Sequence, residues 1–157
     1  MLSVAHGLIG AYVASLFPEQ PLIYLPVAIG LHFVADAVPH WDVGTGLSTG
    51  KKSVFQAYSN EIIDLAFTFG LVFILWQKEI PTSWDQVNWP IWLGALAGLL
   101  IDFLEFPCSA LGWNNIPGLK QVQKVHHWAH RSTTKKFFGL FPQVLVIGVI
   151  IILTLKK

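Results

Sequence analysis

Apolar residues fall into five long blocks along this chain, separated by short polar stretches. A helix that crosses the hydrocarbon of a bilayer needs roughly 20 mostly apolar residues. The blocks predict spans over about 2–17, 21–38, 58–76, 89–106 and 137–155. Pro18 and Pro21 punctuate the turn after the first block, Pro39 ends the second, and Pro107 lies just beyond the fourth. The first two blocks are short for a crossing and also fit a tilted or re-entrant hairpin. The fifth, Phe137 to Leu155, contains no ionisable residue. From Pro117 to His130, Leu119, Val122 and Val125 fall on one side and Lys120, Lys124 and His127 on another, which predicts a short interfacial helix. The expected fold is an all-α integral membrane helical bundle of about five transmembrane helices plus that interfacial helix, forming a single domain over residues 1–157.

Composition sharpens the membrane reading. Hydrophobic residues make up 54% of the 157 residues and charged residues 12%, whereas a soluble domain carries about 25% charged residues. A net charge of +1 lacks the basic surplus of a nucleic-acid-binding face, so the expected partner is the lipid bilayer and no nucleic acid is expected. Cys108 is the single cysteine, which excludes an intramolecular disulfide and a cysteine-based zinc finger. The first block has no Lys or Arg ahead of it and no A-x-A-like cleavage signal, so it reads as a retained helix rather than a signal peptide. The glycine-rich stretch 43–50 and the following Lys51, Lys52 and Ser53 lack P-loop spacing.

Five crossings alternate the loops between two faces. Lys51, Lys52, Lys120, Lys124, Arg131, Lys135 and Lys136 then share the N-terminal face, and Lys78, Lys156 and Lys157 take the other. This excess predicts that the N-terminal face is cytoplasmic, in a plasma (inner) membrane. Trp41, Tyr58, Trp113 and Trp128 fall near that face, and Trp76, Trp84, Trp89 and Trp92 near the opposite one, as two aromatic belts.

The same topology sorts the side chains able to bind a metal. All six histidines and six of the nine carboxylates collect at the N-terminal face, and Glu19, Glu79 and Asp85 fall in loops of the other. His32 and Asp36 are four residues apart, as are His126 and His130, and Glu61 and Asp64 are three apart; on a helix each pair shares a face. Imidazole and carboxylate are ligands that zinc accepts. Asp36, Asp64 and Asp102 lie one or two turns inside predicted spans, where a charge costs about 2.5–3.5 kcal/mol and marks function. The candidate metal ligands are His6, His32, Asp36, His40, Asp42, Asp64, Asp102, His126 and His130. His127, adjacent to His126, is expected to point elsewhere. Glu61 and Glu105 are the candidates for a general base, although Glu105 also fits a snorkelling interfacial carboxylate or a partner of a ligand.

The stretch from Gly30 to Pro39, with His32, Asp36 and Pro39 at H-x-x-x-D-x-x-P spacing, resembles a segment of predicted membrane-bound metal-dependent hydrolases (the YdjM-like group). Leu99 to Pro107 is similar to a second segment of that group, with Ile101 where the group has a proline and without its second aspartate and its histidine. His126 to Ser132 loosely resembles a third segment, and His6 fits an early histidine. The segments come in a different order here, which suits a distant or rearranged relative. An H-x-x-x-D element followed by proline and histidine is also similar to one in zinc-dependent phospholipase C and single-strand nuclease families. The resemblance implies metal-dependent hydrolysis.

The expected function is a membrane-embedded hydrolase that uses one or two zinc or other divalent ions on a phospholipid or another amphipathic ester. The site lies at head-group depth, and Lys or Arg of the loops would steady a phosphate. No H-E-x-x-H occurs, so a zinc-peptidase reading lacks support. Two other classes fit the same residues: a transporter for metal ions or protons, and a non-catalytic membrane protein with a structural metal or polar network.

Overall fold

The computed structural model describes residues 1–45, 51–111, 113 and 116–156. Most of the glycine-rich stretch, 46–50, lies outside the described residues. Six α-helices follow one another: α1 (Ser3–Leu16), α2 (Pro21–Asp36), α3 (Val54–Val72), α4 (Trp89–Leu111), α5 (Leu119–Ala129) and α6 (Lys136–Leu155). A π-helical turn, Phe73–Gln77, prolongs α3. The described residues contain no strand, only an isolated bridge between His40 and Ser132. Three helical stretches are long and apolar enough to cross a membrane: Val54–Gln77, Trp89–Phe106 and Lys136–Leu155. The apolar helices α1 and α2 are shorter, at 14 and 16 residues.

Local chemistry moves some boundaries from those expected. Helix α3 starts before Tyr58 because Ser53 and Gln56 form a capping box, the Ser53 hydroxyl accepting from the Gln56 N–H and the Gln56 side chain from the Ser53 N–H. Helix α4 continues past Pro107, and Pro26 and Pro142 lie inside α2 and α6. A proline removes one N–H and crowds the carbonyl four residues back, and neighbouring helices in a bundle tolerate that defect.

Helix α1 is the hub, packing against α2, α3, α4 and α6. It is lined with small residues, and two of them set how close α4 can come. A Cβ on Gly10 would collide with the Gly94 carbonyl, and one on Gly98 with the His6 carbonyl. Gly94 and Gly98 are four apart, the small-x-x-x-small spacing that brings two helix backbones together. Beyond this seam Leu8, Ala11, Tyr24, Val72, Ile91 and Ile150 build an apolar core.

The outside is apolar as well. Leu22, Phe55, Ile62, Ile80, Phe137 and Leu155 are each at least two-thirds exposed. Large apolar side chains thus lie on the surface while polar groups are held inside. The starts of α1, α3 and α6 meet the ends of α2 and α4 at one end, and the polar interior lies there.

Candidate metal centre

Asp36 closes α2 and is fully buried. Four imidazoles surround its carboxylate. His126 Nε2 lies 2.7 Å and His32 Nε2 3.4 Å from Oδ2, while His6 Nε2 lies 3.1 Å and His40 Nε2 3.6 Å from Oδ1. The Met1 amino group also bonds Oδ1 and lies 3.0 Å from His6 Nε2. An unneutralised buried carboxylate would be very costly, so this one is built to meet cationic or proton-bearing groups.

Second partners aim the imidazoles. His32 Nδ1 donates to the Gly98 carbonyl at 2.8 Å. Its Nε2 is then left as a lone pair, buried and without a hydrogen-bond partner. That lone pair faces two carboxylates, Asp36 Oδ2 at 3.4 Å and Asp102 Oδ1 at 3.7 Å. Lone pairs turned toward one another repel unless a cation lies between them. His40 Nδ1 donates to the Val38 carbonyl at 2.8 Å, so its Nε2 also points inward, 3.0 Å from His130 Nε2. His126 Nδ1 bonds Glu105. Burial opposes a charge on His126, but its bonds to Asp36 and Glu105 outweigh burial and push its pKa up to about 10.

Two groups of ligand atoms result. In one, atoms of His32, Asp36, Asp102 and His126 all lie within 4.8 Å of one another, and in the other those of Asp36, His40 and His130 do. Zinc bonds of about 2.0–2.2 Å at tetrahedral angles separate ligand atoms by about 3.3–3.6 Å. Most separations here run from 3.4 to 3.9 Å, longer than hydrogen bonds and close to that spacing. The donor set and the orphaned His32 nitrogen therefore fit a divalent ion.

The chain brings these residues together by docking its loops. The Arg131 N–H donates to the Asp36 carbonyl, the His40 N–H to the Arg131 carbonyl and the Thr133 N–H to the His40 carbonyl. This ladder fixes the segment after α5 beside the segment after α2 and sets His130 against His40. Asp42 follows, its Oδ2 at 3.5 Å from His40 Nε2 and 3.4 Å from His130 Nε2, buried and without a hydrogen bond.

Other residues singled out from the sequence lie beside these groups. Both oxygens of Asp64 accept backbone N–H groups at the start of α1, from Ser3 at 2.6 Å and Val4 at 3.3 Å, so its carboxylate caps that helix. Glu61 accepts from the Ser3 hydroxyl. Glu105 bonds His126 rather than standing free. His6 stacks on the His32 ring, with centroids 3.9 Å apart, and reaches the centre through Asp36 Oδ1. His127 is turned outward, its Nδ1 at 2.8 Å from the Gln123 carbonyl.

Some contributors had no place in the sequence reading. The carbonyls of Gly98 and Val38 aim two imidazoles, and backbone acceptors leave no sequence signal. Gln143, inside the most apolar helix, accepts the Leu2 N–H at 2.7 Å and donates to the carbonyls of Trp41 and Gly139. Its signal was there, as a lone amide in an unbroken apolar run.

Fold and site together define an all-helical protein with three helices able to cross a membrane and a buried His/Asp constellation able to hold a metal ion. No family model matches the chain, and no curated protein or solved structure is significantly similar to it.

Proposed function

We propose that this protein is a membrane-embedded, metal-dependent hydrolase that uses zinc or another divalent ion and acts on a phospholipid-like or other amphipathic ester near the membrane surface. In this reading the bundle crosses the bilayer five times, α1 and α2 included, with the metal centre at the cytoplasmic face of the inner membrane. The resemblance to predicted membrane-bound metal-dependent hydrolases agrees with it. One observation carries the reading: His32 Nε2, fixed by the Gly98 carbonyl, is buried, unpartnered and aimed between two carboxylates.

When bound, the ion would supply Lewis acidity, activating a water nucleophile near neutral pH and neutralising charge that develops on the ester. The protein's own groups divide the remaining work. Glu105 and Gly98 hold His126 and His32 in orientation. Glu61 belongs to neither ligand group and is the carboxylate left to take a proton. Asp102 and His130, with side chains 29% and 27% exposed, form the open side by which an ester would arrive. Lys52 and Lys136 flank the Trp41 ring, between His40 and Asp42 in sequence, and would attract a phosphate.

An ion pathway is less well supported. Among the described residues, every buried histidine and carboxylate belongs to the site end, and the interior beyond it is filled by Leu8, Ala11, Tyr24, Ile91 and Ile150. A conducting path would need polar groups there.

The test is metal analysis of the protein purified in mild detergent, beside an Asp36→Ala/His130→Ala double variant, followed by hydrolysis assays on phospholipid vesicles. Stoichiometric zinc in the wild type, its loss in the variant, and metal-dependent release of a phosphorylated or acyl product are expected. A folded wild type that takes up no zinc when offered it would overturn the reading.

A further inference from the structure

We infer that the centre is dinuclear, with Asp36 as a bridging carboxylate: Oδ2 serves one ion together with His32, Asp102 and His126, and Oδ1 serves a second together with His40, His130 and Asp42. The inference deepens the proposed function and rests on that reading for the use of the ions, though not for their number.

The two oxygens of Asp36 face different sets of ligands. Oδ2 is nearest to His126 and His32, whereas Oδ1 faces the Met1 amino group, His6 at 3.1 Å and His40 at 3.6 Å. A carboxylate serving one ion in bidentate fashion would turn both oxygens toward a single ligand set. Here the two groups of ligand atoms share Asp36 and no other residue.

The second group has its own evidence of a missing partner. Asp42 Oδ2 is buried, makes no hydrogen bond, and lies 3.5 and 3.4 Å from the inward nitrogens of His40 and His130. Those nitrogens are 3.0 Å apart. His40 Nδ1 is committed to the Val38 carbonyl, so the proton between the pair belongs to His130 Nε2. An ion at this position would take both lone pairs, and the His130 ring would release that proton or carry it on Nδ1 instead. Asp36, His40 and His130 form the mutually close set, and Asp42, which approaches both imidazoles, would supply the fourth ligand.

Charge points the same way. Asp36, Asp42, Asp102 and Glu105 converge on the cluster, where the Met1 amino group bonds Asp36 Oδ1 and the His126 ring bonds Asp36 Oδ2 and Glu105. The amino group lies against Asp36 Oδ1 and His6, so an ion on Oδ1 would displace it. Two divalent ions sharing a carboxylate would sit about 3.5–4 Å apart and clamp the attacking and leaving oxygens of an ester.

The test uses the full chain in detergent, stripped with a chelator, reloaded with Zn²⁺ for counting and with Mn²⁺ for electron paramagnetic resonance. The wild type is expected to hold about two equivalents of zinc, and its Mn²⁺ form to give the spectrum of an exchange-coupled pair. Asp42→Asn keeps the shape of its side chain, and His130→Ala changes a partly exposed one. Each is expected to hold about one equivalent and to give the six-line spectrum of isolated Mn²⁺. A wild type with a single equivalent and an uncoupled spectrum, unchanged in both variants, would overturn the dinuclear centre. Vesicle hydrolysis on the same samples separates the two claims. Two coupled ions without hydrolysis support the dinuclear centre and overturn the hydrolase, whereas hydrolysis with one ion supports the hydrolase and overturns the dinuclear centre.

Discussion

An imidazole can hold an ion firmly only if its other nitrogen is held too. His32 is held by a backbone carbonyl, His40 by another, and His126 by the Glu105 side chain. Glu105→Ala is therefore expected to weaken zinc binding by about 10–100-fold while leaving the fold intact, as measured by competition with a chromogenic chelator. Unchanged affinity would mean that Glu105 does not orient His126. Gln143 is a residue-scale anchor of another kind. Gln143→Leu would strand the Leu2 N–H and the Trp41 carbonyl inside the protein. It is expected to cost about 1–3 kcal/mol, seen as a lower melting temperature in detergent. Spacing marked His32 and Asp36 as sharing a helical face, and they do meet at one centre. Spacing gave no means of choosing between an ion and a helix end for Asp64, whose carboxylate faces the free N–H groups of α1.

The packing of α1 against α4 decides where those histidines stand. The Gly98 carbonyl that aims His32 lies on the seam where α4 touches α1, and a Cβ on Gly98 has no room beside the His6 carbonyl. Gly98→Ala is expected to lose about 1–3 kcal/mol by forcing the helices apart, and to lower zinc affinity with it. Gly70→Ala is the matching control, because a Cβ there meets nothing within 4 Å. It is expected to be neutral or to stabilise by about 0.5–1 kcal/mol, since glycine is a poor helix former. The capping box at the start of α3 gives a third element-scale outcome: Ser53→Ala is expected to cost about 1 kcal/mol in thermal unfolding. The helices themselves were legible as apolar blocks, whereas the early start of α3 depended on a Ser/Gln pair that hydropathy does not register.

For the whole molecule, orientation is the property most open to test. In a Cys108→Ser background, single cysteines replacing Lys78 and Lys124 are expected to react with a membrane-impermeant maleimide from opposite sides. Lys78→Cys should label in intact cells and Lys124→Cys only after permeabilisation. Labelling of both from one side would overturn the odd number of crossings between them. The sequence by itself determined that the chain is helical and where its long apolar stretches lie. It also led to the expectation that the histidines and most carboxylates collect at one end, because hydropathy is a one-dimensional property. Only the tertiary structure decided which carboxylate faces which imidazole, that Asp36 serves two groups, and that Asp64 caps a helix. Those outcomes depend on distances between residues as far apart in sequence as Asp36 and His126, set by a glycine seam and a docked loop that no local pattern encodes.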